Sequence, residues 1–249
     1  MVAPLKPLKW YKTLGNKKGR LEAGAFIVEG DRAIRQILSI SPESILEIIT
    51  PEEPPPVFHE YPVSLLPESR FQSICHTRTP QGILAVVRLP ADTYSDSLPE
   101  NPGGKILLLE DIQDPGNTGT LVRTAAAFGF TGVIMTESGA DPFSPKAVQA
   151  SAGSVLSIWL RRTDEYPDRI RELKDSGYTL AAADVDGKEP PAVLAHRDKI
   201  ILALGNEASG LSRAILTMSD YCVGIPTDRE KAESLNVAAC GAILMYLGN

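Results

Sequence analysis

Little in this chain announces metal, redox or disulfide chemistry. Its three cysteines, Cys75, Cys222 and Cys240, are odd in number, follow no spacing pattern and sit among apolar neighbours. They read as reduced packing residues, not as a disulfide frame. The histidines, His59, His76 and His196, form no ligand pair at helical spacing, so no metal site is expected. No apolar run is long enough to span a bilayer, and the Pro- and Lys-rich start has no apolar signal core. A cytoplasmic protein is expected. Phosphate-binding signatures are missing too. Gly205 and Gly210 have P-loop spacing, but Leu211 stands where the lysine must be and Glu207 would repel phosphate. No strand leads into G-x-G-x-x-G, and there is no G-x-S-x-G elbow or paired Ser and His. Nucleotide triphosphatases, dinucleotide enzymes and serine hydrolases are disfavoured together.

What is present is an ordinary globular composition over 249 residues with a net charge of −6. That length allows one large or two modest domains. The acidity argues weakly against a surface that grips nucleic acid throughout. Charge is unevenly placed, however. Lys6, Lys9, Lys12, Lys17, Lys18 and Arg20 crowd into the first 21 residues without an acidic neighbour. Such a basic arm could contact RNA or DNA phosphates, or be a solvated tail.

Apolar runs alternate with helical patterns along the whole chain, which implies a parallel sheet wrapped by helices. Strands are expected at Ala25–Glu29, Ile45–Thr50, Val63–Leu66 and Ile83–Val87, with a helix capped by Asp31. Pro90 to Gly104 is polar and rich in proline, and reads as a linker. Beyond it, strands are expected at Lys105–Leu109, Val133–Met135, Val155–Leu160, Thr179–Ala183, Ile200–Leu204 and Tyr221–Ile225. A helix from about Thr118 to Phe128 stops at Gly129, and another runs from Ser144 to Ala152. The closing segment Ser234–Tyr246 is apolar nearly all round and should be a buried helix. Two loops at the ends of parallel strands, next to that helix, are where open α/β sheets take ligands.

Three of these loops carry a resemblance. Asp114-Pro115-Gly116-Asn117-Thr118-Gly119 through Arg123 to Gly129 resembles the first motif of SpoU-type RNA ribose methyltransferases of the SPOUT superfamily. Leu204-Gly205-Asn206-Glu207-Ala208-Ser209-Gly210-Leu211-Ser212 is similar to the second. Ile225-Pro226 followed by Ser234-Leu235-Asn236-Val237-Ala238 is similar to the third. Phe26–Gly30 and Pro80–Val87 are similar to that family's substrate-binding domain, so the likeness covers nearly the whole chain. One departure is visible: the third motif usually has Met and Gly soon after Ile-Pro and is one residue shorter. Here Thr227–Glu233 fills the gap.

The resemblance implies an α/β fold with a knotted, Rossmann-like parallel sheet, the SPOUT trefoil knot, despite the general rule against threaded chains. It places an N-terminal RNA substrate-binding domain at 1–98, the linker end at 99–104 and the catalytic domain at 105–249. It also implies S-adenosylmethionine as cofactor, methyl transfer to a ribose 2′-hydroxyl of ribosomal or transfer RNA, ribosomal RNA first, and a homodimer with composite sites. The catalytic positions it assigns are Arg123, Asn117, Glu207, Ser234 and Asn236; Leu204, Gly205, Ile225 and Leu235 fall to the cofactor. A guanidinium stays protonated in proteins, so Arg123 is expected to hold phosphate and stabilise a 2′-oxyanion, not to act as a base. Asn117 and Ser234 double as helix caps in this reading, and Glu207 would orient Arg123 or complement a sulfonium. Two other readings stay open: a non-catalytic RNA-binding or ribosome-assembly protein on the same fold, and a related SPOUT protein that methylates a base atom.

Overall fold

The computed structural model describes residues 6–77, 79–231 and 233–249. It divides into two compact units, one running to Ala91 and including Asp141–Ser157, the other made of Asp92–Ala140 and Ile158–Asn249. The returning segment Asp141–Ser157 belongs to the first unit although it lies inside the stretch 105–249.

The first unit is built on a four-stranded sheet of β1 (Ala25–Glu29), β2 (Ile45–Thr50), β3 (Val63–Leu65) and β4 (Leu84–Arg88) in the order β1-β4-β2-β3. β4 runs antiparallel to β1 and β2, while β2 and β3 are parallel, so the sheet is mixed. Ile27, Ile49, Leu84 and Val86 supply its core together with Tyr11, Leu14 and Phe71. The basic start therefore does not behave as a tail. It folds as α1 (Leu8–Thr13) and α2 (Lys17–Ala23), with the Asn16 side chain capping α2 by accepting from Gly19 N at 2.9 Å. Only glycine fits at 19, since a Cβ there would lie 2.1 Å from Thr13 O. Arg20 is 2% exposed; it donates to Leu14 O at 3.0 Å and to Asp141 Oδ2 at 2.8 Å. It is a structural ion pair, not a phosphate contact, whereas Lys9, Lys12 and Lys18 remain exposed. Residues 1–5 of that stretch lie outside the described residues, as does Ala232 in the Thr227–Glu233 loop. α3 (Asp31–Ile40) starts with Asp31 as its first helical residue, and Gly30, at φ 93°, takes the cap position; α4 (Glu68–Gln72) and, in the returning segment, α6 (Pro145–Ser151) belong to the same unit.

The second unit holds six parallel strands: β5 (Lys105–Leu109), β6 (Gly132–Met135), β7 (Trp159–Arg162), β8 (Thr179–Ala183), β9 (Ile200–Leu204) and β10 (Tyr221–Val223). Their order is β10-β8-β9-β5-β6-β7. β5 and β9 are the central pair, and their continuous apolar runs are buried on both faces. α5 (Pro115–Ala127) follows β5, α7 (Tyr166–Asp175) follows β7, α8 (Arg213–Met218) follows β9, and α9 (Val237–Leu247) closes the chain. α9 packs on α5 and β9, bringing the chain back from the edge at β10 to the middle of the sheet. Gly241 permits this approach, because a Cβ there would meet Leu121 Cδ2 at 2.4 Å and Leu204 Cδ1 at 2.8 Å.

Several expectations are corrected. Pro90–Gly104 is no free linker from Asp92 on; it is strapped to the sheet edge. Arg161 pairs with Asp92 Oδ2 at 2.7 Å and donates to Ser97 O at 2.8 Å, and Trp159 Nε1 donates to Pro102 O at 2.9 Å. The strand placed at Val155–Leu160 begins only at Trp159; Ser154–Leu156 is a 3₁₀ turn, and Val155 belongs to the other unit. α5 begins three residues earlier than expected, because Asp114 caps it by accepting from Gly116 N at 2.6 Å and Asn117 N at 3.0 Å. α9 begins at Val237, not at Ser234. Nor is it buried all round: Ile243, Tyr246 and Leu247 are exposed.

Candidate functional site

The second unit gathers its polar chemistry at the C-terminal ends of the central strands. Immediately after β5, Asp111 adopts a left-handed backbone at φ 57°, unusual for a residue with a side chain. Its own bonds over-determine that conformation. Asp111 N donates to Thr136 Oγ1 at 2.9 Å, Thr136 Oγ1 donates to Asp111 Oδ1 at 2.7 Å, and Ser138 Oγ also donates to Oδ1. The twist presents Asp111 O to Asn206 Nδ2 at 2.9 Å, which bolts the loop after β5 to the loop after β9.

That second loop is tightly closed. Asn206 and Gly210 exchange backbone hydrogen bonds of 3.1 and 2.9 Å, and Asn206 Oδ1 accepts from Ala208 N and Ser209 N. Gly205 has to be glycine because a Cβ would fall 2.3 Å from Gly210 C. At the turn, the Glu207 carboxylate accepts from Asn117 Nδ2 at 2.9 Å, Gln113 N at 3.2 Å and Asp114 N at 3.4 Å. Partial burial pushes this carboxyl up, but the donors from Asn117, Gln113 and Asp114 outweigh it, and the group ends below the usual carboxylate range. It is an anion at neutral pH. Asn117 Oδ1 in turn accepts from Asn236 Nδ2 at 3.2 Å. Asn236 also caps α9, accepting from Ala238 N at 2.9 Å and Ala239 N at 3.3 Å.

The structure thus joins Asn117, Glu207 and Asn236 in one hydrogen-bonded cluster, with motif loops one, two and three each giving one member. The capping roles given to Asn117 and Ser234 pass to Asp114 and Asn236, whose short side chains sit one position outside the first helical turn. Ser234 makes no side-chain hydrogen bond among the described residues. Arg123, six residues beyond Asn117 on α5, is exposed and bonds to none of the cluster. Glu207 is therefore oriented by Asn117 and backbone amides, not paired with Arg123.

Beside the cluster lies a cavity of about 90 Å³ whose walls include Asp184, Val185, Val223, Ile225, Ser234, Leu235 and Cys240. Burial pushes the Cys240 thiol up to about 11, so it lines the wall as a neutral group. A wider recess of about 330 Å³ shares Val185, Ile225 and Thr227 with it and adds Lys188 and Arg229. Ile225 and Leu235 stand in the wall as expected. Leu204 is 1% exposed and its side chain packs against α9, so it lines neither of these two cavities. Asp184 and Val185, after β8, and Asn206 were missed in the sequence. An Asp after an apolar strand was the available signal for Asp184, while Asn206 acts through bonds no pattern shows.

Residues 104–246 match the SpoU rRNA Methylase family, and residues 6–85 match the MRM3-like substrate binding domain. The chain belongs to the SpoU rRNA methylase family. Its activity is methyl transfer from S-adenosylmethionine to a ribose 2′-hydroxyl of ribosomal RNA. Among SpoU relatives, it is 32% identical to the 23S rRNA (guanosine(2553)-2′-O)-methyltransferase RlmP of Bacillus subtilis, over 96% of this chain and 94% of that one. It is similar to the SpoU methyltransferase AviRb from Streptomyces viridochromogenes in complex with AdoMet, at 28% identity and TM-score 0.82, covering 96% and 95% of the two chains. The AdoMet-bound rRNA methyltransferase from Sinorhizobium meliloti matches at 26% identity and TM-score 0.81, covering 100% and 96%. The residues fit that cofactor. Apolar walls at Val223, Ile225 and Leu235 suit a flat adenine, and Lys188 in the adjoining recess can receive a carboxylate, Arg229 being already paired with Asp186.

Proposed function

We propose that this SpoU methylase modifies large-subunit ribosomal RNA in the cytoplasm, as a homodimer, with the Asn117–Glu207–Asn236 cluster and Arg123 as its catalytic groups. The observation that carries the residue assignment is the cluster itself: three side chains from three separate loops bond in series one residue away from the cavity wall at Leu235. Ile225, Leu235 and the backbone at Leu204 and Gly205 would hold the cofactor, with Ser234 at its rim. When bound, S-adenosylmethionine supplies an electrophilic methyl group on a sulfonium. Glu207, anionic and held in place, complements positive charge nearby. Arg123 is a permanently charged, planar donor with no partner of its own among the described residues. It suits a substrate phosphate and the oxyanion that develops as the 2′-hydroxyl loses its proton to water or phosphate. The bound cofactor would give its methyl to that oxygen and would leave as the thioether.

Two features support the homodimer. Ile243, Tyr246 and Leu247 expose an apolar face on α9. Arg123 projects outside its own cluster, as a residue serving a composite site would. The return of α9 to the sheet centre supports the trefoil knot. The first unit is read as the RNA holder, with Lys9, Lys12 and Lys18 as phosphate contacts. Deleting 1–20 would remove Tyr11, Leu14 and Arg20 from the core, so the clean test is charge removal. Replacing Lys9 and Lys12 by alanine should flatten the salt dependence of RNA binding by about one unit of slope per contact. The deciding experiment maps 2′-O-methyl groups after incubating unmodified 23S ribosomal RNA with the protein and S-adenosylmethionine. One ribose modified to near completion supports the reading; methyl on a base, or none, sinks it.

A further inference from the structure

We propose that Glu110 is a positioning residue for methyl transfer, holding the far end of the Gly205–Ser212 loop so that Glu207 meets Asn117. The inference rests on the reading of Glu207 as a site residue. Glu110 follows β5, and its N–H donates to Leu204 O at 2.9 Å, extending the β5–β9 ladder by one bond. Its carboxylate is 3% exposed and has no cation beside it among the described residues. Oε1 accepts from Tyr166 Oη at 2.6 Å, and Oε2 accepts from Ser212 N at 2.7 Å. Tyr166 opens α7, and Ser212 caps α8 by accepting from Ile215 N at 3.3 Å. One side chain therefore ties the end of the central strand to two helices.

The loop carrying Glu207 is pinned at its start by Asn206 on Asp111 O and at its end by Ser212 on Glu110. A buried carboxylate without a cation is costly to desolvate, and its two donors only offset that cost. What it provides is two strong, directional acceptors pointing at two different elements. The Tyr166 phenol stays a donor at any working pH, because burial first, and then the Glu110 hydrogen bond, push its ionisation far up.

The test measures kcat and KM at saturating S-adenosylmethionine on unmodified 23S ribosomal RNA, with the unfolding midpoint recorded in parallel. Glu110→Leu should lower kcat by about 30-fold or more while RNA KM moves less than about threefold. Leu leaves Ser212 N and Tyr166 Oη without their acceptor, so its unfolding midpoint should fall by a few degrees, and kcat is compared well below that midpoint, where the kcat-against-KM split marks positioning. Glu110→Gln should recover at least about tenfold over Leu, since Oε1 can accept from Ser212 N while Nε2 donates to Tyr166 Oη. A Glu110→Leu protein with near wild-type kcat overturns the proposal, and so does a kcat loss explained by unfolded protein. Glu207→Ala run alongside separates the two ideas. If Glu207→Ala is impaired and Glu110→Leu is not, only the positioning role fails. If Glu207→Ala turns over normally, the site reading fails and this inference with it.

Discussion

The loops after β9 and after β10 are both motif loops of one sheet, yet they are built in opposite ways. The Gly205–Ser212 loop is anchored on three sides: Asn206 to Asp111 O, Glu207 to Asn117 and two amides, and Ser212 to Glu110. The 226–236 loop is exposed along its described residues and is held by surface ion pairs until Asn236 reaches Asn117. Asp228 accepts from Lys231 Nζ at 2.9 Å, and Arg229 meets Asp186 at 2.9 Å. Exposed pairs of that kind contribute about 0–1 kcal/mol each. The difference teaches a division of labour. A loop that must place a carboxylate within hydrogen-bond reach is pre-ordered, whereas a loop that closes a cavity wall can take its final shape from what fills the cavity.

The largest expected effect comes from a group that belongs to neither loop. Arg123→Ala should lower methyl transfer at saturating RNA by about two orders of magnitude or more, the scale of one lost oxyanion donor. Cofactor binding and the unfolding midpoint should stay near wild type, and Arg123→Lys should rescue poorly because an ammonium lacks the planar fork. Near-normal turnover in Arg123→Ala would assign the chemistry to another residue.

Next in size is the bolt of the anchored loop. Asn206→Ala leaves Asp111 O and two loop amides without their partner, a loss of about 1–3 kcal/mol. That should appear as a fall of a few degrees in the unfolding midpoint, at about 2–4 °C per kcal/mol for a chain this long. Turnover should fall about tenfold as Glu207 loses its fixed place. An equal loss from alanine substitution in the exposed loop would erase the contrast between the loops.

A pH titration sharpens the comparison. The Glu207 pKa is depressed in the folded state, so its contribution is complete above the ordinary carboxylate pKa and is lost as pH falls through the lowered value. Glu207→Gln should lower stability by a constant amount above about pH 6 and lose that acid-side slope, so that the two profiles converge at low pH. If the acid limb is identical in both proteins, the carboxylate is not held as described.

Cofactor addition should act mainly on the other loop. S-adenosylhomocysteine should slow amide exchange in 226–236 by about tenfold or more, with a smaller change in 205–212, which is already bonded. Smallest of all, Arg229→Gln should change cofactor affinity by no more than about threefold, because the Asp186 pair is exposed and screened. A larger effect would make that pair a true latch on the cavity.

The sequence by itself was enough for the parallel sheet of the second unit, because β5 and β9 are continuous apolar runs that only a strand buried on both faces explains. It was also enough for the three motif loops and for Glu207, Asn117 and Asn236 as residues of interest. Composition and charge were less informative: the same basic run that reads as an arm folds into α1 and α2, since Tyr11, Leu14 and Arg20 find partners far along the chain. Only the tertiary structure decided which side chains meet. Asp114 and Asn236 became the caps because each helix begins where its short acceptor reaches two free amides. Asn206 reaches Asp111 O and Glu110 reaches Ser212 N because strands adjacent in space, β5 and β9, are 90 or more residues apart in sequence. The exposed face of α9 was settled there as well, since an all-apolar helix carries no mark of which side the sheet will cover. Hydrogen bonds between loops depend on register across the sheet, and register is a property of the packed strands, not of any one segment.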